Sequence, residues 1–134
     1  GQLIDRLGVY MGLQFPAGPA MEKMSLAYTG EKNYKRPSSV KGCYFNLSGA
    51  ENIACKLFDE TKDASMVASF VFDYISRSLV KSVSSFIDEY GDMPMIFAGG
   101  VMSNSIIKSA LGIASISHLL YTVHELKIYY IYLV

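Results

Sequence analysis

Residues 96–104 combine the residue types in this chain that best suit the binding of a flat ligand. An apolar run ends in Gly99 and Gly100, and the polar residues Ser103 and Asn104 follow. The two glycines allow positive φ and remove the Cβ atoms that would hold a ligand away from the backbone. Asn104 is suited to cap a helix over residues 105–111 with its side-chain oxygen. A strand, a glycine turn and a helix start in this order suit a nucleotide or another anion.

The same pattern also fits an ordinary strand-to-helix turn. It lacks the full G-x-G-x-x-G spacing and has no lysine that would make a P-loop. On these residues alone, nucleotide contact and a purely structural turn both stay open.

Hydrophobic patterning around this turn predicts an α/β chain whose main scaffold is one long helix. That helix runs over about residues 62–90, is capped by Thr61 or Asp63, and keeps an apolar side throughout. A first helix over residues 2–11 carries the stripe Leu3, Leu7, Tyr10 and Met11. The other predicted elements are a helix over 20–28, a surface loop over 29–41, a strand over 42–47, a helix from a capping Ser48 to about 58, and a strand over 94–98 buried on both faces.

Composition limits the function classes. The 134 residues amount to one domain, and twelve basic and twelve acidic side chains give a net charge of zero. We therefore expect no large nucleic-acid footprint, so any RNA contact would need surface from elsewhere. Cys43 and Cys55 have no metal-ligand spacing, which predicts free thiols in a reducing cytoplasm. The chain starts with Gly1 inside a predicted helix, and we expect it to be a piece of a longer protein.

Four segments, taken in order and spacing, resemble a known family. They are GQLIDR (residues 1–6), GLQFPAGP (12–19), YFNLSG (44–49) and AGGVMSN (98–104). The chain is similar through them to the C-terminal lobe of the universal tRNA threonylcarbamoyladenosine synthase family, long labelled O-sialoglycoprotein endopeptidase or glycoprotease. The resemblance covers residues 1 to about 112, and the first two segments are similar to a divergent paralogous branch common in clostridia and their relatives.

The resemblance implies a fold, a reaction and a set of site residues. The fold is the actin-like, two-lobed ATPase fold of the sugar-kinase and heat-shock class, and this chain is part of its C-terminal lobe. The family transfers a threonylcarbamoyl group from its adenylate to an adenosine in tRNA, with ATP or the adenylate and a divalent metal as cofactors. Asp5, Gly18 and Asn104 would then contact the nucleotide part of the ligand beside the pair Gly99 and Gly100. The alternatives are a solvated helix residue for Asp5, a turn residue for Gly18 and a helix cap for Asn104.

Three departures from the family pattern leave the substrate open. Gln2 stands where glutamate is usual, Ala17 replaces the first glycine of a Pro-Gly-Gly-Pro turn, and Glu51 replaces a lysine. The last change reverses a charge and discourages a phosphate nearby.

The family's metal ligands are also missing from this chain. They are two histidines of the N-terminal lobe and the aspartate of a late Asp-Asn pair, and no Asp-Asn follows Asn104. His118 and His124 would lie about 120° apart around a helix, so they do not form a ligand pair. We predict no metal site here and assign no catalytic residue. The implied partners are the missing N-terminal lobe, a paralogous subunit of similar fold, and tRNA.

The tail, residues 113–134, departs from the family. It is apolar, but His118, His124, Glu125 and Lys127 interrupt it, which argues against a transmembrane helix and a membrane partner. A frameshifted or prematurely ended reading frame would give such a tail. In a folded chain it would complete the sheet or pack as a helix on the surface left by the missing lobe.

Two function classes follow from these observations. The chain is either a truncated enzyme lobe that is inactive alone, or a non-catalytic paralogue that binds a nucleotide or a partner subunit. A glycoprotease has less support, because no serine or cysteine has a recognisable base. A sugar or acetate kinase lobe fits Gly99 and Gly100 but not the series of segments.

Overall fold

The computed structural model describes residues 1–32, 34, 40–91, 95–112 and 129–132. They form five α-helices, a short 3₁₀ helix and two small sheets, in agreement with the predicted α/β class. The helices are α1 (Gln2–Tyr10), α2 (Gly18–Ala27), α3 (Ser48–Thr61), α4 (Ala64–Tyr90) and α5 (Ser105–Ala110), with the 3₁₀ helix at Gly100–Ser103. The strands are β1 (Val40–Lys41), β2 (Tyr44–Phe45), β3 (Met95–Ala98) and β4 (Tyr129–Tyr132).

Helix α4 is the scaffold on which α2, α3 and α5 pack. Its start is fixed by Asp63, whose Oδ1 accepts from the backbone N–H of Met66 at 2.9 Å, which confirms one of the two predicted caps. The predicted apolar side of α4 is largely buried, with Phe70 and Leu79 fully enclosed. The fully buried Leu7 of α1, Met21 of α2 and Ile107 of α5 belong to the same core.

Helix α1 packs on α2 and α3, and Leu3, Leu7 and Met11 of the predicted stripe contact the core. Leu3, Ile4, Leu7 and Gly8 are buried, whereas Tyr10 is 49% exposed, so its assignment to the buried stripe was wrong. The Tyr10 hydroxyl donates to the Asp59 carboxylate of α3, 2.8 Å from Oδ1 and 2.9 Å from Oδ2. This hydrogen bond raises the pKa of Tyr10, because ionisation would place a second negative charge beside Asp59.

The segment between α2 and α4 is less regular than predicted. The strand expected over 42–47 is only Tyr44–Phe45, paired antiparallel with Val40–Lys41 around a turn in which Gly42 has φ of 57°. The predicted Ser48 cap of α3 was wrong. Asn46 provides the side-chain oxygen at this start, and its Oδ1 accepts from the Ser48 N–H at 2.8 Å. Asn46 lies two positions before Ser48, a spacing at which an asparagine side chain bonds to the backbone, and α3 begins at Ser48.

Strands β3 and β4 pair in parallel, from Met95 opposite Tyr129 to Ala98 opposite Tyr132. The strand predicted over 94–98 is confirmed at Met95–Ala98. Met95 and Phe97 are half-buried, so the expectation of burial was too strong for the face that these two residues share. For residues 129–132 the structure favours the prediction that the tail completes the sheet. His118, His124 and the rest of residues 113–128 lie outside the described residues.

Candidate functional site

Of the two glycines in the turn after β3, only Gly99 has the positive φ that a glycine allows. Gly99 adopts φ of 113°, a conformation that favours glycine, and it directs the chain into the 3₁₀ helix. Gly100 does not have positive φ. It is exposed, and a Cβ placed on it would meet no atom within 4 Å. The open space beside Gly100 leaves room for a ligand against the backbone.

Asn104 caps α5 as predicted. Its Oδ1 accepts from the backbone N–H groups of Ile106 and Ile107, at 3.1 Å in each case. The residue is only 6% exposed, so the cap holds its side chain in a fixed place. Both bonds use Oδ1 alone, and neither uses the Nδ2 donors.

Asp5 on α1 is not the solvated helix residue that was one alternative. It is half-buried, and its Oδ1 accepts from the Ala17 N–H at 2.8 Å, immediately before α2. Gly18 is the first residue of α2 rather than a turn residue. A Cβ on Gly18 would meet nothing within 4 Å, so the protein's own packing leaves the space beside this glycine open.

These positions meet in one cleft of about 210 Å³ between α1, α2 and the segment that joins β3 to α5. Asp5, Gly18, Gly100 and Asn104 all line it, although they come from opposite ends of the described chain. Gly99 does not line the cleft, and its contribution is the turn that brings Gly100 there. The rest of the lining is Gly1, Ile4, Pro16, Pro19, Glu22, Phe72, Val101 and Ser103.

Glu22 is a lining residue that sequence reasoning missed. Its Oε1 accepts from the Ser105 N–H at 2.8 Å and also from the Ser105 hydroxyl, so the contact joins α2 to the start of α5. Glu22 lies four positions after Gly18, and residues four apart on a helix lie on the same face. That spacing from a suspected site residue was the available signal.

The charged side chains that line the cleft are both acidic. They are Asp5 and Glu22, and the described lining includes neither lysine nor arginine, so its one cation is the Gly1 α-amino group, whose pKa is lowered by burial. Such a site repels phosphate and favours groups that donate hydrogen bonds, such as hydroxyls and amines. Glu51, where the family pattern has lysine, forms an ion pair with Arg6 at 2.7 Å, so its reversed charge has a partner on α1.

Neither a metal site nor a membrane span is found in the part of the chain that the structure describes. No group of three His, Cys, Asp or Glu side chains is placed to hold an ion there. Among the same residues, no helix is long and apolar enough to cross a bilayer. Cys43 and Cys55 are both free thiols, as predicted.

Comparison with known proteins finds relatives of one kind. The tRNA N6-adenosine threonylcarbamoyltransferase of Archaeoglobus fulgidus is 33% identical over 114 residues, which cover 84% of this chain and 34% of that protein. The protein of the same name from Maricaulis maris is 29% identical over 128 residues, covering 83% and 33%. A probable bifunctional tRNA threonylcarbamoyladenosine biosynthesis protein of Thermoplasma volcanium is 29% identical over 108 residues, covering 81% and 20%. No protein-family model matches the chain.

The predicted resemblance is therefore confirmed. The chain is similar to tRNA N6-adenosine threonylcarbamoyltransferases over more than four fifths of its own length, and it spans about a third of the length of the curated transferases that it matches.

Proposed function

We propose that this chain supplies the nucleoside-binding half of the active cleft of a tRNA threonylcarbamoyladenosine-forming enzyme. Residues 1–112 would form part of the C-terminal lobe of an actin-like ATPase fold, and residues 113–134 a divergent tail. One observation carries the proposal. Asp5, Gly18, Gly100 and Asn104, which the family resemblance selects, line the same cleft.

Each of these residues has a role that its contacts leave available. One Asp5 oxygen is used by the Ala17 N–H, and the other would accept from a ribose hydroxyl. Gly18 and Gly100 have no Cβ and open space beside them, so a planar ring would lie against their backbone. The Nδ2 group of Asn104 would donate to the ligand while Oδ1 caps α5. Glu22 adds a second carboxylate to the same cleft.

The remaining requirements of the reaction fall to the two thirds of the relatives that this chain does not span. The phosphate part of ATP or the adenylate and the tRNA acceptor would be bound there, since the charged side chains of the described lining are acidic. The divalent metal would be bound there as well, since the described residues hold no group of three side chains placed to bind an ion. We expect the chain alone to be inactive. We also propose that it acts in the cytoplasm.

A chimeric enzyme tests the proposal. The third of the Archaeoglobus fulgidus transferase that aligns with this chain would be replaced by residues 1–112, and threonylcarbamoyladenosine in tRNA would be measured by mass spectrometry of digested nucleosides. We expect modified tRNA from the chimera, and at least a tenfold loss when Asp5→Asn is added to it, because a charge-assisted hydrogen bond contributes about 1.5–3 kcal/mol.

The alternative is a non-catalytic paralogue, which the acidic lining and the reversed charge at Glu51 favour. A chimera that unfolds cooperatively in a thermal melt, yet yields no modified nucleoside, would contradict the enzyme proposal and favour this alternative. A matched chimera with Asp59→Asn controls for the loss of a carboxylate. Asp59 is exposed, accepts from the Tyr10 hydroxyl and does not line the cleft.

A further inference from the structure

The contact between Glu22 and Ser105 joins two separate walls of the cleft. Glu22 lies on α2 and lines the cleft, and Ser105 is the first residue of α5, directly after the lining residue Asn104. Both the backbone N–H and the hydroxyl of Ser105 donate to one oxygen, Oε1 of Glu22. Ser105 itself is exposed and is not part of the lining.

We propose that Ser105 is the positioning residue that holds the Glu22 carboxylate in place for a ligand carrying vicinal hydroxyls, the ribose of a nucleoside. This inference rests on the proposed nucleoside-binding function. With Oε1 fixed by two donors, the carboxylate loses its freedom to rotate away, and Oε2 remains as an acceptor for a ligand hydroxyl.

The two carboxylates of the cleft are held in the same manner. Asp5 has Oδ1 engaged by the Ala17 N–H at 2.8 Å, and Glu22 has Oε1 engaged by Ser105. Each therefore keeps one oxygen for the ligand. Two fixed acceptors match a neutral group with two adjacent hydroxyl donors better than a phosphate, which would add negative charge beside both.

The surroundings distinguish Ser105 from the neighbouring serine. Ser103 lines the cleft, but its hydroxyl donates to the Gly100 carbonyl at 2.7 Å, within its own turn. The Ser105 hydroxyl crosses to another helix. Because this contact is exposed, water replaces it at little cost to folding, so its main consequence is the orientation of Glu22.

The test is a titration of the whole 134-residue chain with adenosine, followed by ¹H–¹⁵N NMR, for the wild type, Ser105→Ala, Ser105→Thr and Ser48→Ala. Ser48 is the matched control. It is also the exposed first residue of a helix, and its N–H donates to a side-chain oxygen, Oδ1 of Asn46. We expect Ser105→Ala to weaken adenosine binding about threefold to tenfold. Ser105→Thr, which keeps the hydroxyl, and Ser48→Ala should stay within about twofold of the wild type.

A second readout separates positioning from a general structural effect. The same chains would be titrated with 2′,3′-dideoxyadenosine, which lacks both hydroxyls. Ser105→Ala should reduce the preference for adenosine over 2′,3′-dideoxyadenosine. A general structural disturbance would instead lower the affinity for both ligands by the same factor. Equal adenosine affinity for Ser105→Ala and wild type, or an unchanged ratio, would overturn the inference and leave the proposed function intact. No adenosine binding by the wild type would overturn both.

Discussion

At Asn104 one side chain both starts a helix and lines the cleft. Oδ1 accepts two backbone N–H groups of α5, and the residue is nearly buried. The cap alone would account for asparagine at this position. The ligand role is therefore a separate claim that requires its own test.

Substitution of Asn104 separates the two roles. Asn104→Ala should lower the free energy of unfolding by about 0.5–2 kcal/mol, measured by urea denaturation, because the cap is lost. Asn104→Asp keeps an oxygen that caps equally well, so stability should stay close to the wild type. It should nevertheless weaken adenosine binding, since the Nδ2 donors are gone and a third carboxylate enters the cleft. If Asn104→Asp bound adenosine as the wild type does, Asn104 would be a cap only.

The order of the motifs selected four of the residues that line the candidate cleft. Asp5, Gly18, Gly100 and Asn104 were selected by resemblance, and the structure places all four in one cleft. The spacing of Glu22 from Gly18 was a signal in the sequence, but its contact with Ser105, far away in the sequence, was not. Only the packing of α2 against the start of α5 makes that pair visible.

At the scale of elements, the closest approach of α1 to the start of α2 depends on Gly8. A Cβ built on Gly8 would lie 2.1 Å from the Ala17 Cβ. Ala17 is completely buried. The same approach brings the Ala17 N–H to Asp5. The packing of α1 on α2 thus fixes the Asp5 carboxylate in the cleft.

Gly8→Ala should therefore destabilise the chain, although alanine is the better helix former. The overlap with Ala17 should cost about 1–3 kcal/mol, which exceeds the gain of about 0.5–1 kcal/mol from helix propensity. Gly49→Ala on α3 is the matched control, because a Cβ there meets nothing within 4 Å. Thermal melts should show a lower Tm for Gly8→Ala and an equal or higher Tm for Gly49→Ala. Two variants that both raised Tm would show that the α1–α2 contact yields easily.

The long helix α4 was predictable, whereas the two-residue strands and the start of α3 were not. Helix α4 follows from its apolar period and from the Asp63 cap, both of which are local signals. The two-residue strands of the hairpin have no period to detect. The start of α3 depends on Asn46, whose Oδ1 accepts from the Ser48 N–H. Tyr10 faces out because Asp59, on another helix, offers its hydroxyl a partner.

At the scale of the whole molecule, the cleft should select by charge. The charged side chains of its described lining are Asp5 and Glu22, and the Gly1 α-amino group is the one cation there. We expect the chain to bind adenosine at least as tightly as AMP or ATP, with affinities compared by NMR titration at low salt. The difference should shrink as salt is added, since screening weakens the repulsion. Tighter binding of AMP at low salt would mean that a cation, either the Gly1 α-amino group or one outside the described lining, serves the phosphate.

The chain spans about a third of its relatives, and this limits the affinity that its cleft can reach. One wall of a cleft buries only part of a ligand, so we expect adenosine to bind no tighter than about millimolar. Micromolar binding would show that these residues form a complete site by themselves.

A map of amide shifts during adenosine titration tests the central claim most directly, because it reports where the nucleoside binds. We predict that the ¹H–¹⁵N signals of Gly18, Glu22, Gly100 and Asn104 move together and fit one dissociation constant, while those of the α3 surface stay in place. Shifts that cluster away from this cleft, or no shifts at all at adenosine concentrations of several millimolar, would contradict the account.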